Sequence, residues 1–216
     1  MRGLLVTLLK KLIFLRKVAL RILRDKDTYF KDTAWPDSIV SKLPLDENGL
    51  PIPIYPYVIV DLLKQRLNLS MKVMEFGAGY STLFYQSRVR KVCSVEHHKI
   101  WYEKISALAK SNVDMRYIPL EEGSSYENAC KQFSDKFDLI VIDGRRRTEC
   151  VANCLPYLDL DGVIIWDDSN RERYQSEISQ MKDRGFKRLD FNGLKATSWD
   201  NHQTTLFYRE NNCFNL

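Results

Sequence analysis

The segment Val73-Met-Glu-Phe-Gly-Ala-Gly-Tyr-Ser-Thr-Leu83 is the most informative part of the sequence. It consists of a short apolar strand, a turn containing two glycines, and small polar residues that open a helix. Gly77 and Gly79 allow the backbone to turn sharply and to approach a ligand without an intervening Cβ. The third glycine of dinucleotide-binding turns is replaced here by Thr82. The turn therefore favours a nucleoside ligand that carries no pyrophosphate.

Strand-like and helix-like segments alternate on both sides of this turn. Such alternation predicts an α/β fold with a parallel sheet and crossover helices, and Leu139–Ile142 is apolar on both faces, as strands between two helical layers are. The predicted strands are Lys72–Phe76, Lys91–Glu96, Met115–Ile118, Phe137–Asp143, Gly162–Asp167, Phe186–Phe191 and Thr204–Arg209. The predicted helices are Val58–Asn68, Ser81–Ser87, Ile100–Lys110, Ser124–Phe133, Thr148–Tyr157 and Arg171–Asp183.

An acid follows the glycine turn at the end of the next predicted strand. The segment Val92-Cys-Ser-Val-Glu-His97 places Glu96 about 20 residues beyond the turn, where a carboxylate can accept both hydrogen bonds of a ribose diol. The alternative is that Glu96 is a solvated strand-end acid and that His97 and His98 are ordinary surface residues. Because the glycine turn lies in register with it, we favour ribose binding.

Three further acids follow the fourth and fifth strands. Asp143 ends the fourth strand, and Asp167 and Asp168 end the fifth. The carboxyl ends of strands in an open α/β sheet line the ligand crevice, so these acids are expected to face it. Alternatively, Asp168 or Ser169 caps the next helix. An arginine cluster beside the same strand ends either holds an anionic substrate or forms ion pairs with the acids; it consists of Arg145, Arg146, Arg147, Arg171 and Arg173.

Composition and charge limit the classes of partner. The 216 residues suffice for one well-filled α/β domain, and the net charge is +5. Residues 1–26 hold eight basic residues against one acid, so the remainder is slightly acidic and no nucleic-acid partner is expected. The five cysteines form no CxxC pair, which favours reduced cysteines in a cytoplasmic protein, with Cys93 as a small buried hydrophobe.

The N-terminal segment is predicted to be a basic amphipathic helix. Residues 3–24 are interrupted by charges too often for a membrane span or a signal peptide, but they carry an apolar face and a cationic face. This pattern is typical of a helix lying on a membrane surface, here the inner face; the alternatives, which stay open, are that it covers the domain or pairs with a second copy in a homodimer. The predicted division is residues 1–26 as this helix, 27–57 as an irregular proline-rich connector, and 58–216 as the catalytic domain.

Over roughly residues 58–209 the chain resembles the class I S-adenosylmethionine-dependent methyltransferases. Glu75, Gly77 and Gly79 resemble the first motif of that family, and Glu96 resembles its ribose-binding acid. The resemblance implies a Rossmann-like, seven-stranded, mostly parallel sheet with an antiparallel last strand, and S-adenosylmethionine as the cofactor. The expected cofactor-binding residues are Glu75, Gly77, Ala78, Gly79, Ser81, Thr82, Glu96, His97 and Asp143.

The acids also resemble a metal site. Asp143 followed by Asp167-Asp168 is similar to the divalent-metal site of catechol-type and macrocin-type O-methyltransferases. This resemblance implies that the three acids bind Mg²⁺, which would lower the pKa of an acceptor hydroxyl. Without a metal, Asp143 or Asp168 is the expected catalytic base. Arg145, Arg147 and Arg171 are the expected contacts to a small-molecule or glycan acceptor.

Other functions stay open at this point. An N-methyltransferase is less favoured because the Asn/Asp-Pro-Pro-Tyr motif is absent after the fourth strand, and an NAD-dependent dehydrogenase because the third glycine is missing. A catalytically silent nucleoside-binding module, partnering a membrane-associated glycan enzyme, is the alternative from a different class. The three acids at one crevice edge argue against it, since simple binding would not require them.

Overall fold

A seven-stranded sheet in the order β3-β2-β1-β4-β5-β7-β6 organises the computed structural model, which describes residues 2–24, 29–121, 125–133 and 136–216. Only β7 runs antiparallel to its neighbours β5 and β6. The predicted Rossmann-like sheet with an antiparallel last strand is therefore confirmed. The strands are β1 (Lys72–Phe76), β2 (Lys91–Glu96), β3 (Val113–Tyr117), β4 (Phe137–Ile142), β5 (Leu158–Asp167), β6 (Lys187–Gly193) and β7 (His202–Tyr208).

Helices connect the strands and cover both faces of the sheet. The α-helices of the described residues are α1 (Arg2–Arg24), α2 (Tyr29–Asp32), α3 (Trp35–Ser41), α4 (Tyr57–Arg66), α5 (Tyr80–Tyr85), α6 (Lys99–Ser106), α7 (Arg147–Cys154) and α8 (Gln175–Asp183). Three short 3₁₀ helices add Tyr126–Gln132, Leu155–Tyr157 and Glu172–Tyr174. The helix predicted for Ser124–Phe133 is thus a 3₁₀ helix, and its first residue lies outside the described residues.

The core consists of two apolar clusters, one on each face of the sheet. Alternate residues of β4 enter opposite clusters, as Ile140 does on one side and Leu139 on the other. Both side chains are fully buried, which confirms that β4 is apolar because both of its faces are covered. Cys93 is likewise fully buried in the first cluster, as predicted for a small hydrophobe.

The proline-rich segment differs from the predicted irregular connector. It contains α2 and α3, and the side chains of Trp35, Ile52 and Tyr55 are buried in the second core cluster. The Trp35 indole also donates a hydrogen bond of 2.9 Å to the carbonyl of Ser198. Large aromatic side chains bury enough apolar surface to dock a segment that prolines interrupt. This part of the chain is therefore a packed layer over the domain, contrary to the sequence prediction.

The N-terminal helix α1 contrasts with that layer. It spans Arg2–Arg24 of the predicted residues 1–26, of which residues 1, 25 and 26 lie outside the described residues, and every α1 side chain that the structure describes is exposed. The exposed set includes large apolar side chains such as Leu12, Phe14 and Leu15, at 57%, 65% and 60% exposure. Among the described residues no helix combines the length and the apolar character that crossing a membrane requires.

Candidate ligand crevice at the switch point of the sheet

The order of the strands places a crevice at the carboxyl ends of β1 and β4. The chain moves outward in one direction from β1 to β2 and β3, and in the other from β4 to β5, so the two strands flank the switch point where α/β sheets bind ligands. A cavity of about 430 Å³, called the main cavity below, opens there. Its lining includes Gly77, Ala78, Gly79, Ser81, Glu96, His97 and Asp143 from the predicted cofactor-binding set.

The glycine turn between β1 and α5 has the geometry that the motif predicts. Gly77 adopts φ +96°, a left-handed conformation that glycine adopts without strain, and its N–H donates to the carbonyl of Val95 at 2.9 Å. A Cβ at this position would lie 2.8 Å from Cα of Gly144 at the end of β4. The two strands can approach this closely only because both residues are glycines.

Glu75 and Thr82 support this turn from behind and do not line the main cavity. The Glu75 carboxylate is fully buried and accepts hydrogen bonds from the hydroxyls of Ser81, Thr82 and Ser94. Burial raises the pKa of Glu75 to about 7, although the three hydroxyl donors oppose the shift. The Thr82 hydroxyl in turn accepts the N–H of Gly79 at 2.9 Å. Both predicted cofactor residues thus contact the loop that would hold the cofactor.

At the end of β2, one carboxylate oxygen of Glu96 accepts two backbone hydrogen bonds, and the other oxygen takes no part in them. Its Oε1 accepts the backbone N–H groups of His97 at 2.8 Å and His98 at 2.7 Å. Within the described residues Oε2 has no hydrogen-bond partner, and the residue lines the main cavity while only 4% exposed. A fixed carboxylate with a free oxygen suits the diol of a ribose.

The main cavity has walls that sequence reasoning missed. The Trp101 indole from α6 donates a 2.7 Å hydrogen bond to the carbonyl of Ala78 and so fixes the glycine turn from its open side. Lys42, Pro44 and Ile54 line the cavity from the segment predicted to be a connector. No local pattern indicates that Lys42, Pro44 and Ile54 reach the cavity.

Asp143, Asp167 and Asp168 converge as predicted, but Arg147 lies among them. The guanidinium is 3.0 Å from Asp143 Oδ1, 3.7 Å from Asp167 Oδ2 and 3.6 Å from Asp168 Oδ2. It also donates to the backbone carbonyls of Asp143, Gly144 and Asp167, and its side chain is only 9% exposed. We call Asp143, Asp167, Asp168 and Arg147, with Arg171 and His202, the acid–arginine cluster.

The other cations of the cluster hold the two aspartates of β5. Arg171 donates to Asp168, and His202 Nε2 lies 2.9 Å from Asp168 Oδ1 and 3.1 Å from Asp167 Oδ1. Burial alone would raise the pKa of Asp168, but the His202 hydrogen bond and the charges of His202, Arg147 and Arg171 outweigh it and lower the pKa to about 2. Asp167 and Asp168 do not line the main cavity.

His202 is the residue of this cluster that the sequence did not reveal. It lies on β7, which pairs antiparallel with β5 in a register that places Thr204 opposite Asp167. Burial lowers the pKa of His202, but hydrogen bonds to Asp167 and Asp168 outweigh that effect and raise the pKa above its ordinary value. A histidine 35 residues from its partner in the chain carries no local pattern that would identify it.

The predicted Mg²⁺ site does not fit this geometry. Mg²⁺ requires oxygen ligands at roughly 2.0–2.1 Å in an octahedral arrangement. The Arg147 guanidinium instead lies within 4 Å of a carboxylate oxygen of each of the three aspartates, and its positive charge would repel a second cation. Asp167, Asp168 and His202 offer one ligand atom each within 4.8 Å of one another, but these atoms already bond to each other. The metal prediction therefore lacks structural support.

A second, smaller cavity carries the arginines. This arginine pocket, of about 230 Å³, shares Gly144, Arg145 and Arg147 with the main cavity. Its other lining residues are Arg146, Thr148, Arg171, Arg173 and Tyr174. Arg145 and Arg173 are exposed, and neither pairs with a carboxylate among the described residues. The pocket therefore retains positive charge that the acids do not neutralise.

The fold is that of the class I S-adenosylmethionine-dependent methyltransferases. No protein-family model matches the sequence, and a comparison with curated proteins gives no significant match. The similarity is to solved structures and lies in the fold, since sequence identities are below 20%.

Three solved structures illustrate the likeness. A Klebsiella pneumoniae protein assigned as an O-methyltransferase is 17% identical, with a TM-score of 0.53 over 88% of this chain and 94% of that chain. The precorrin 8W decarboxylase of Methanobacterium thermoautotrophicum is 16% identical, with a TM-score of 0.55 over 78% and 97%. A Streptococcus mutans protein assigned as a methyltransferase, solved in complex with SAH, is 13% identical, with a TM-score of 0.52 over 73% and 99%.

Proposed function

We propose that this protein transfers a methyl group from S-adenosylmethionine to a hydroxyl of a small-molecule or glycan acceptor that carries an anionic group. The observation that carries the proposal is the pairing of the Gly77 turn with the fixed Glu96 carboxylate in one cavity of suitable size. Structural neighbours that bear methyltransferase names, one of them in complex with SAH, support the choice of cofactor.

The residues of the main cavity fit the cofactor. The glycine turn brings backbone close to the ligand, and Glu96 Oε2 is free for a ribose hydroxyl. When bound, S-adenosylmethionine supplies an electrophilic methyl group on a positively charged sulfur. What remains for the protein is to orient the attacking oxygen and to accept its proton.

Asp143 is the residue best placed to accept that proton. It lines the main cavity, whereas Asp168 does not, and the low pKa of Asp168 makes it a weak base. Burial raises the pKa of Asp143 well above its ordinary value, and the charge of Asp167 adds to the shift, although Arg147 opposes it. A carboxylate with a raised pKa is better suited to proton acceptance near neutral pH.

The arginine pocket supplies the preference for an anionic acceptor. It adjoins the main cavity through Arg145 and Arg147, so an acceptor anchored in the pocket could direct a hydroxyl towards Asp143. Arginine binds carboxylates and phosphates through two parallel hydrogen bonds. Uronates, sugar phosphates and nucleotide sugars have the required chemistry.

Calorimetric titration with S-adenosylmethionine tests the cofactor, and transfer of a labelled methyl group to a panel of uronates and nucleotide sugars tests the reaction. We expect saturable cofactor binding and labelling of anionic acceptors, and Arg173→Gln should raise the acceptor KM without changing cofactor affinity. Absence of cofactor binding would refute the proposal. Binding without transfer to any acceptor would favour the catalytically silent module instead.

We also propose that α1 lies on an anionic membrane surface. Its described side chains are all exposed, and at helical spacing Leu12, Leu15 and Val18 share one face while Lys10, Lys17 and Arg21 share the opposite face. Apolar burial at the interface and attraction to anionic headgroups would then act together, each basic residue near the surface contributing about 1 kcal/mol. The alternatives are packing on the domain and pairing with a second copy.

Vesicle flotation distinguishes membrane binding of α1 from packing on the domain and from pairing with a second copy. Full-length protein should float with phosphatidylcholine–phosphatidylserine vesicles. It should remain unbound with phosphatidylcholine alone, because that surface has no anionic headgroups to attract the basic residues of α1. The double substitution Leu12→Glu with Leu15→Glu should abolish flotation, since it places charges on the apolar face. Equal flotation of the full chain and a chain lacking residues 1–26 would contradict membrane docking, and a concentration-dependent dimer lost on that deletion would indicate a homodimer.

A further inference from the structure

We infer that the Arg147 guanidinium occupies the position of the divalent cation that the three-acid pattern predicts, so that this crevice operates with a built-in cation. The inference deepens the proposed function, on which its catalytic meaning rests. It concerns a residue that we class as positioning, because Arg147 acts on Asp143 and the ends of the strands.

The first argument is the number of groups that converge on one side chain. Arg147 is within 4 Å of carboxylate oxygens of Asp143, Asp167 and Asp168, the three acids predicted as metal ligands. A cation in contact with three carboxylates at once is what the predicted metal would have been. The guanidinium is also nearly buried, so the attraction is less screened than at a surface.

The second argument is that the backbone fixes Arg147 in this place. Its Nε donates to Gly144 O at 3.0 Å, and its Nη2 donates to Asp143 O at 3.1 Å. Its Nη1 donates to the carbonyl of Asp167, so the guanidinium connects the ends of β4 and β5. A side chain with this many bonds cannot swing aside for an incoming ion without leaving several buried carbonyls unpaired. The arginine is therefore a fixed part of the crevice.

Charge points the same way. The three carboxylates face the guanidinium groups of Arg147 and Arg171, and His202 Nε2 lies 2.9 Å from Asp168 Oδ1 and 3.1 Å from Asp167 Oδ1. Lys195 adds a further amine 3.2 Å from His202 Nε2. The negative charge that would attract Mg²⁺ is thus already balanced by side chains. Removing the cation at position 147 should make the site more negative by one charge and free the space beside the carboxylates.

Manganese binding, followed by the loss of the free-ion signal in electron paramagnetic resonance, tests the inference without an activity assay. All preparations carry Asp159→Asn and Asp161→Asn, which remove a separate, largely exposed acid group whose oxygens lie within 4.8 Å of one another. On this background the protein that retains Arg147, called wild type here, should leave the signal of added Mn²⁺ undiminished. Arg147→Ala should bind Mn²⁺ at least about tenfold more tightly, which corresponds to roughly 1.4 kcal/mol or more. Arg147→Gln, which retains an amide donor for the strand-end carbonyls, should do the same if the alanine variant does not fold.

Two controls make the outcomes decisive. Arg146→Gln removes the neighbouring arginine, which pairs with Glu127 outside the cluster, and should not create a Mn²⁺ site. S-adenosylmethionine titration of the same preparations tests the proposed function separately. If no cofactor bound, the proposed function would be refuted, but the Mn²⁺ result would still test the role of Arg147. Mn²⁺ binding by wild-type protein would overturn the inference, and so would folded Arg147 variants that bind no more Mn²⁺ than wild type.

Discussion

The two sides of the crevice are built from different interactions. On the glycine side, the turn after β1 and the end of β2 are shaped by backbone, with Gly77 at φ +96° and Glu96 bound to two backbone N–H groups. On the acid side, the ends of β4 and β5 are held by charged side chains, Arg147 at the start of α7 and His202 on β7. Acids at the carboxyl ends of two strands of one sheet therefore differ in role: Glu96 after β2 is open to a ligand, whereas Asp168 after β5 is bound by side chains of the protein.

The largest effect should follow from changing the backbone of the glycine side. Gly77→Ala places a Cβ 2.8 Å from Gly144 Cα and strains a left-handed conformation, at a cost of roughly 1–3 kcal/mol. We expect S-adenosylmethionine affinity, measured by calorimetry, to fall about 100-fold or more because the turn must shift. Gly185→Ala is the matched control, since Gly185 has φ +83° with open space around it. Equal cofactor affinity in both variants would show that the backbone of the turn does not form the site.

The sequence predicts each side of the crevice only as far as the interacting residues lie close together in the chain. The sequence indicates the glycine turn and Glu96 because strand, turn and acid are close in the chain, and the alternation of strands and helices predicts a parallel sheet, whereas the antiparallel last strand is predicted only by the family resemblance. The roles of Glu75 and Thr82 differ from expectation because the motif does not tell a contact to the ligand from a contact to the loop. For Arg147 the sequence leaves substrate binding and ion pairing with the acids open, and the structure shows the ion pairs, whose geometry depends on the pairing of β4 with β5.

A smaller loss is expected from removing the carboxylate of the glycine side. Glu96→Ala deletes the free Oε2, and hydrogen bonds to charged groups contribute about 1.5–3 kcal/mol. Cofactor affinity should therefore fall roughly 10-fold to 100-fold in a calorimetric titration. Glu103→Ala, which removes an exposed acid on α6, should leave affinity unchanged. If Glu96→Ala retained wild-type affinity, the ribose assignment would be wrong.

On the acid side, Asp168→Asn should change stability more than ligand binding. Asparagine tolerates the left-handed backbone of this residue, at φ +53°, so the substitution removes mainly the charge. Because the folded pKa of about 2 lies below the unfolded value, ionised Asp168 stabilises the fold above pH ~4 and that contribution is lost as pH falls through 2. We expect about 2 kcal/mol less unfolding free energy at pH 7 and a narrowing difference below pH 4, measured by urea denaturation.

The control for this prediction is Asp183→Asn, which neutralises an exposed acid at the end of α8. It should alter stability by no more than about 0.5 kcal/mol at any pH. The prediction would be wrong if both variants lost the same unfolding free energy. It would also be wrong if the loss caused by Asp168→Asn stayed constant down to pH 2. S-adenosylmethionine affinity should change little in either variant, because Asp168 does not line the main cavity.

The smallest effect tests whether the glycine side depends on its backbone or on one side-chain bond. Trp101→Phe retains an aromatic ring but removes the indole N–H that donates to Ala78 O. A single hydrogen bond of this kind contributes roughly 0.5–1.5 kcal/mol, so cofactor affinity should fall about fivefold. Tyr102→Phe, a neighbouring substitution outside the cavity lining, serves as the control and should leave affinity unaltered. A loss from Trp101→Phe as large as that from Gly77→Ala would mean that the indole, rather than the turn, holds the cofactor. The glycine side would then depend on a side-chain contact, as the acid side does, and the difference between the two sides would be wrong.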